Sequence, residues 1–391
     1  MEGDFITIRK WLLPLSWLYG LGVKLRNMMF EIGILKSRSF STPVVSVGNI
    51  TVGGTGKTPH VEYLVQLLKN QFHVAVLSRG YKRKSKGFII ADANTTMPEI
   101  GDEPYQMKQK FPDVTIAVDK NRCHGISELE AADKELNVVL LDDAFQHRYV
   151  KPGINILLVD YHRLIIYDRL LPAGRLREPL SGKDRADIVI VTKCPKELKP
   201  MEYRVVTKAM QLYPYQRLYF TTLEYDKLKP LFAENTGDTV PAIEELGDKQ
   251  ILLITGIASP EQIAHDLSPY SDNVTNLFFA DHHVFSHKDI QRINDTFASM
   301  TGPKLIITTE KDATRLNNAE GLSNEVRKNI YVLPVRISFM QEQEDMFNQQ
   351  IIGYVRKNSR NSILAKGKDD NKSNNGNHSG NRPRTISFRN N

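Results

Sequence analysis

The chain has 391 residues, 41% of them apolar and 25% charged, with a net charge of +7 and two distant cysteines, Cys123 and Cys194. This balance excludes a disordered or fibrous chain, and the cysteines exclude a disulfide framework and a Cys-based metal site, which is the default of a reducing compartment. The charge sits at the ends: residues 1–40 carry six Lys/Arg against three Asp/Glu and residues 366–391 six against two, so 41–365 nets zero and no nucleic-acid groove is expected in the body.

No window reaches the roughly 20 apolar residues of a membrane span. "WLLPLSWLYGLGV" (11–23) is uncharged but short, holds Pro14, Gly20 and Gly22, and is followed by no small-residue cleavage site, so it does not read as a secretory signal. Periodicity predicts an amphipathic helix over 14–35. Leu18, Leu21, Leu25, Met28, Met29 and Ile32 share one face, and Lys24, Asn27 and Glu31 another. Trp11, Trp17 and Tyr19 cluster at its front. The pattern suits a helix lying in a membrane interface, and the alternative is a helix packed on its own domain.

From residue 43 the pattern alternates strand and helix. β-Branched runs at 43–48, 74–78, 114–118, 137–142, 154–160 and 187–192 predict an α/β fold with a mainly parallel sheet covered by helices on both faces. The expected organisation is an interfacial helix (1–40), a core (41–215), connector strands (216–240) and a smaller α/β domain (241–365). In the last, strands are expected at 250–257, 274–280, 304–309 and 330–337, with a helix near 287–300. The Asn-rich residues 366–391 lack the apolar side chains needed to order them.

The first strand ends in "GNITVGGTGKTP". Gly53, Gly54 and Gly56 let the backbone turn tightly around Thr55 and aim N–H groups inward, and the next helix points its positive end at the same place. Lys57 is placed to reach the β- and γ-phosphates of a nucleotide, and Thr58 to put its hydroxyl on Mg2+. Thr51 stands where the strict phosphate-loop pattern has its first glycine, which leaves a plain glycine turn as the alternative.

"NVVLLDDAFQHR" (137–148) is an apolar strand ending in Asp142 and Asp143, at the same sheet edge as a neighbouring glycine loop. These acids suit Mg2+, with an ordinary strand-to-turn Asp pair as the alternative. "GDEPYQM" (101–107) sets Asp102 and Glu103 in a loop before Pro104. "FADHHVFSHKDI" (279–290) holds three of the ten histidines, with Ser286 as a helix cap and His282–His283 in the preceding loop. They suit metal ligands, a catalytic pair or simple loop residues. Arg79, Arg122, Arg148, Arg175 and Arg177 are available for anionic oxygens.

Taken together and in this order, "SVGNITVGGTGKTP", "LSRGYKRKSKG", "GDEPYQM", "VAVDKNRCHG", "LLDDAFQHRYV", "LLPAGRLREP" and "FADHHVF" resemble tetraacyldisaccharide 4'-kinase, the lipid A 4'-kinase (LpxK) of Gram-negative bacteria. The resemblance spans about residues 10 to 350. It implies a P-loop core, a smaller C-terminal α/β domain, a two-stranded connector and an N-terminal membrane helix. It also implies ATP and Mg2+ as cofactors and residence at the cytoplasmic face of the inner membrane. The implied substrate is a tetraacylated glucosamine disaccharide 1-phosphate lipid, phosphorylated at its 4'-hydroxyl to give lipid IVA. By resemblance, Lys57 and Thr58 serve the phosphates and Mg2+, and Asp142 and Asp143 sit at the metal. Asp102 resembles the catalytic base and His282 its partner. Gln146, His147 and Glu178 belong to a polar shell, and Arg79, Tyr81 and Arg122 face lipid or nucleotide.

The rival reading from another class is a P-loop ATPase acting in protein or cofactor delivery, which needs the glycine loop and the acids but no sugar-directed base. A nucleic-acid-dependent NTPase is opposed by the neutral body of the chain.

Overall fold

The computed structural model describes residues 8–234, 242–247, 249–258, 260–271 and 273–373, with side chains through 359. Residues 1–7, much of the second half of the expected connector (235–241) and 374–391 lie outside it. Strands β1 (Val44–Gly48), β2 (Val74–Ser78), β3 (Ile89–Ile90), β4 (Thr115–Val118), β5 (Val138–Asp142), β6 (Ile154–Asp160), β7 (Ile188–Thr192) and β8 (Arg217–Tyr225) come first in the chain. They are followed by β9 (Lys229–Pro230), β10 (Gln250–Thr255), β11 (Val274–Phe278), β12 (Lys304–Thr309), β13 (Ile330–Leu333) and β14 (Val335–Phe339). The helices are α1 (Leu13–Glu31), α2 (Lys57–Leu68), α3 (Met97–Ile100), α4 (Asp102–Lys110), α5 (Arg122–Ala132), α6 (Pro200–Met210), α7 (Pro260–Leu267), α8 (His287–Ser299), α9 (Glu310–Leu316), α10 (Asn324–Asn329) and α11 (Glu344–Ser373).

Two sheets organise the chain. The larger has nine strands in the order β14-β8-β7-β6-β1-β5-β2-β4-β3 and is parallel except at its edges, where β3 and β14 run antiparallel to their neighbours. Alternation along β1 explains why it is covered on both sides. Val45 and Val47 pack with Val61, Leu64 and Val65 of α2, while Val44 packs on the other face with Ile126 and Leu129 of α5. The second sheet has five strands, β11-β10-β12-β13-β9, parallel except for β9. Its faces bury Leu252 and Ile254 on one side and Ile251 and Leu253 on the other.

Three boundaries differ from expectation. The run 330–337, read as one strand, is cut by Pro334, which has no N–H to continue a ladder. β13 joins the second sheet, whereas β14 returns to pair with β8 in the first. α11 follows β14 back, burying Phe347, Ile351 and Val355 in the first sheet's core. Residues 335–355, expected in the smaller domain, therefore belong to the larger sheet by pairing and packing. The end of the chain also differs: 366–373 continue α11 where disorder was expected.

The N-terminal helix spans Leu13–Glu31 rather than 14–35, stopped near Gly33, whose φ of 79° ends a helix readily. In its first turns its inward side is small or polar. Ser16 Oγ donates to Leu170 O (3.0 Å) and accepts from Ala173 N (2.9 Å), and Gly20 lies so close to Leu170 that a Cβ would stand 2.6 Å from its Cδ1. Most of its large apolar side chains point outward, with Trp17 83% exposed, Leu18 72% and Leu21 66%, whereas Phe30 in its last turn is buried. This is the inverse of the usual helix, which turns such residues to the core. Among the described residues, no helix is long and apolar enough to cross a membrane.

Candidate functional site

The cradle is built from consecutive residues. β1 ends at Gly48, and the loop to α2 turns through Gly53 (φ 116°) and Gly56 (φ 79°), conformations that side chains rarely adopt. Gly56 directly precedes α2, so the loop's N–H groups and the helix's positive end share one focus. Neighbours brace it. Asn49 Nδ2 donates to Thr55 Oγ1 (2.9 Å), Arg177 Nε to Thr51 O (3.0 Å), and Lys193 Nζ to Gly54 O (2.5 Å). His60 Nδ1 lies 2.7 Å from Gly56 O and Nε2 3.1 Å from Thr221 Oγ1, which fixes the ring as a donor at Nδ1. Burial pushes His60 down to about 4, so it stays neutral.

β5 lies beside β1 with Val47 opposite Asp142, which brings the two acids to the cradle. Asp142 is buried, accepts from Ser78 Oγ (3.2 Å) and leaves Oδ1 without a partner among the described residues. Burial pushes its carboxyl up, and the charges of Glu103 and Asp143 add to this against Lys57 and Arg122. Asp143, at a φ of 48°, is exposed and lies 3.6 Å from both Lys57 Nζ and Arg177 Nη2. No group of three or more His, Cys, Asp or Glu side chains among the described residues is arranged to hold a metal by itself. A buried carboxylate oxygen lacking a donor, crowded by other acids beside a phosphate cradle, nevertheless fits Mg2+. That ion takes one or two carboxylates and completes its shell with phosphate oxygens and water.

The third part is tertiary. Gly101 (φ 91°) precedes α4, and Asp102 opens that helix rather than lying in a loop. Pro104 is tolerated there because first-turn N–H groups have no helical partner. Asp102 Oδ2 accepts from His282 Nδ1 at 2.8 Å, across 180 residues, and from Arg315 Nη2 at 2.5 Å. Burial raises the Asp102 carboxyl, but the hydrogen bonds from His282 and Arg315 and the charge of Arg315 outweigh it, so the group sits well below the usual carboxylate range. Lys311 Nζ lies 3.3 Å from His282 Nε2 and 3.2 Å from Glu103 Oε1. Because the ammonium only donates, Nε2 accepts and the ring proton resides on Nδ1, facing Asp102. His283 serves elsewhere. Its Nε2 is 2.9 Å from Asp289, in the capping box that Ser286 makes for α8.

A cavity of about 230 Å3 joins these parts. Gly54, Gly56 and Lys57 line it from the first sheet, and Glu103, Asp281 and Lys311, the immediate neighbours of the Asp102–His282 pair, line it too. Tyr225, Ile257 and Ala258 supply an apolar wall. The two sheets are tied beside it by Lys110, whose Nζ bonds Glu62 of α2 (2.7 Å) and Glu310 of α9 (2.8 Å).

The remaining expected residues are dispersed around this centre. Tyr81 is exposed and its ring stands 5.2 Å from that of His282. Arg79 is exposed. Arg122 is buried, donating to Asp119 O (3.1 Å) and Asp142 O (3.3 Å). Its guanidinium thus supports the end of β5. Gln146 and His147 are half-buried in the loop beyond, and burial with the charges of Arg122, Arg26 and Arg79 lowers His147 to about 4. Glu178 is buried and paired with Arg185 at 2.7 Å.

Thr58 flanks Lys57 at the cavity wall. Lys311, Asp312 and Arg315 were not singled out from sequence. Their signal was a strand, "KLIITT", ending in the polar run "EKDATRL", the same strand-then-acid pattern that exposed Asp142.

Comparison with known proteins bears on this geometry. The family model for tetraacyldisaccharide-1-P 4'-kinase, LpxK, matches residues 8–355. A tetraacyldisaccharide 4'-kinase of Phocaeicola vulgatus is 58% identical over 365 residues, covering 93% of this chain and 99% of the relative. One of Flavobacterium johnsoniae is 44% identical, covering 90% and 98%. A crystal structure of LpxK from Aquifex aeolicus in complex with ATP superposes with a TM-score of 0.64 at 29% identity, covering 89% of this chain and 99% of that one. With the family model spanning most of its length and a relative 58% identical over 93% of it, the chain belongs to the LpxK family of tetraacyldisaccharide-1-phosphate 4'-kinases.

Proposed function

We propose that the cavity between the sheets is where the family reaction occurs, with Asp102 as base, His282 as its partner and the 49–58 loop as phosphate cradle. The reaction is ATP-dependent phosphorylation of the 4'-hydroxyl of a tetraacyldisaccharide 1-phosphate, a step of lipid A synthesis, and this chain is a kinase of that kind. The observation that carries the assignment is the 2.8 Å contact between Asp102 and His282, side chains of different sheets, beside the cavity that Lys57 lines.

A sugar hydroxyl is a poor nucleophile near pH 7. A carboxylate within hydrogen-bond reach takes its proton as the new O–P bond forms and ADP departs. His282, protonated on Nδ1, orients that carboxylate. Lys57 and the loop N–H groups stabilise the charge on the transferred phosphoryl group, which supplies most of the rate enhancement. Thr58, Asp142 and Asp143 would hold Mg2+, which when bound neutralises phosphate charge. Catalysis further requires the second sheet to stay docked against the first, which keeps the Asp102–His282 contact and excludes water able to hydrolyse ATP.

The outward apolar face of α1 is read as the membrane contact, at the cytoplasmic face of the inner membrane. Withdrawing a Leu-sized side chain fully from water is worth about 1.5–3 kcal/mol, so partial insertion of several such residues holds the enzyme where a four-chain lipid resides. The test is direct: purified protein is incubated with γ-labelled ATP and the disaccharide lipid. Label on the lipid is expected. ATP turnover that never labels lipid would favour the delivery-ATPase reading instead.

A further inference from the structure

We propose that Arg315 is a positioning residue for this reaction: its buried guanidinium, anchored on Asp312, holds Asp102 Oδ2 so that Oδ1 meets the sugar hydroxyl. The inference rests on the base reading of Asp102. Among the described residues, Arg122 and Arg315 are the arginines that are nearly fully buried, and both terminal nitrogens of Arg315 are engaged. Nη1 lies 2.9 Å from Asp312 Oδ1, and Nη2 lies 2.5 Å from Asp102 Oδ2. Asp312 is itself immobilised. It is fully buried, and its Oδ2 accepts from Gly256 N (3.0 Å) and Thr309 Oγ1 (2.7 Å). The chain of contacts therefore runs from the end of β10, through the first turn of α9, to a carboxylate on α4 of the other sheet.

This geometry does what a single histidine cannot. One hydrogen bond from His282 leaves a carboxylate free to pivot about the donor, whereas two donors from different directions on the same oxygen fix its plane. Oδ2 is then saturated. Oδ1 carries no hydrogen bond among the described residues and is the oxygen left to take the proton while the sugar O–P bond forms and the bond to ADP breaks. The groups facing the Asp102–His282 pair are Arg315, Asp312 and Lys311 on α9, Glu103 on α4, Asp281 beside His282, and the ring of Tyr81. Arg315 is the cation among them that touches Asp102 directly, so it also keeps this half-buried carboxylate ionised. Lys and Arg are not equivalent here: an ammonium restores charge but cannot span two carboxylates with a planar fork.

The experiment compares Arg315→Met, Arg315→Lys, Asp102→Asn and the Asp102→Asn/Arg315→Met pair in the lipid-labelling assay, with melting curves and pH profiles. Arg315→Met should lower kcat roughly 10²-fold with little change in KM for ATP. The acid limb of its kcat/KM profile should move up, because burial of Asp102 is no longer countered by the guanidinium. Arg315→Lys should recover part of kcat and return the limb toward that of the parent. Arg315→Met in the Asp102→Asn background should cost little more, since the carboxylate it positions is gone.

Arg315→Met strands Asp312. If that variant melts early, Asp312→Asn/Arg315→Met removes the stranded charge and carries the same comparison. A kcat within threefold of the parent, an unmoved acid limb, or a loss that adds fully to that of Asp102→Asn would overturn the inference. Should Asp102→Asn itself keep full activity, the base reading fails, whatever Arg315 does.

Discussion

The cradle lines the cavity and the Asp102–His282–Arg315 cluster stands beside it, reaching its wall through Glu103, Asp281 and Lys311, yet the two are made in opposite ways. The cradle is ten consecutive residues whose shape follows from two positive-φ glycines and the start of a helix. The cluster joins residues 180 and 213 positions apart, one from α4 and two from elements around the second sheet. A motif whose braces all come from the first sheet survives a movement of the second. A cluster spanning two sheets exists only while they are docked, so phosphate binding and base positioning should be separable by mutation.

The sharpest test of that separation is Asp102→Ala. It should lower kcat by about 10²–10⁴-fold, the usual range for loss of a general base, while ATP binding changes little because the proposed phosphate site is the cradle. Parallel titration of nucleotide affinity and lipid turnover decides it, and equal loss of both would merge the two regions into one. Lys57→Ala should damage both quantities, with roughly 10²–10³ in turnover, as for loss of a charge-stabilising donor. Unchanged nucleotide affinity there would remove Lys57 from the phosphates.

A smaller effect is expected at the tie between sheets. Lys110→Met leaves Glu62 and Glu310 facing each other without their shared cation. It should cost about 1–3 kcal/mol of stability, less than a fully buried pair because Lys110 is partly exposed. Turnover should fall more than ATP affinity, as measured by melting and steady-state kinetics. Burial already pushes Glu62 up to about 7, against the pull of Lys110. Since a raised carboxyl pKa is relieved by protonation, the Lys110→Met deficit should shrink as pH falls from 8 towards 6.

The smallest effect on the fold should come from α1. Trp17→Ser with Leu18→Ser and Leu21→Ser changes residues that are already in water. The melting temperature should stay nearly constant while vesicle association falls. Unaltered association would end the role given to this face.

Much of this was legible beforehand because it depends on short-range rules. Residues 44–58 declare a strand, a tight turn and a helix start through β-branching, glycine and the Lys-Thr pair. Asp142 was visible because a parallel neighbour of such a strand ends at the same edge. By contrast, the run 330–337 looks like one strand, and only Pro334 hints that β13 and β14 part company between two sheets. His282 and His283 are indistinguishable by type and spacing. His283 goes to Asp289 three residues past Ser286, and His282 to a partner in another sheet. The strand-then-acid run marks the region of Arg315 but not the residue, since a buried guanidinium and a solvated one share the same letter.

Sequence alone determined the α/β class, the glycine turn after the first strand and the acids at the end of a neighbouring strand, because backbone dihedral preference and strand periodicity act within a few residues. Tertiary structure decided which histidine faces Asp102, that α9 supplies its second donor, and that α1 turns its leucines outward. Those outcomes depend on which surfaces meet after the sheets form, and such meetings are set by packing over the whole chain rather than by any local preference.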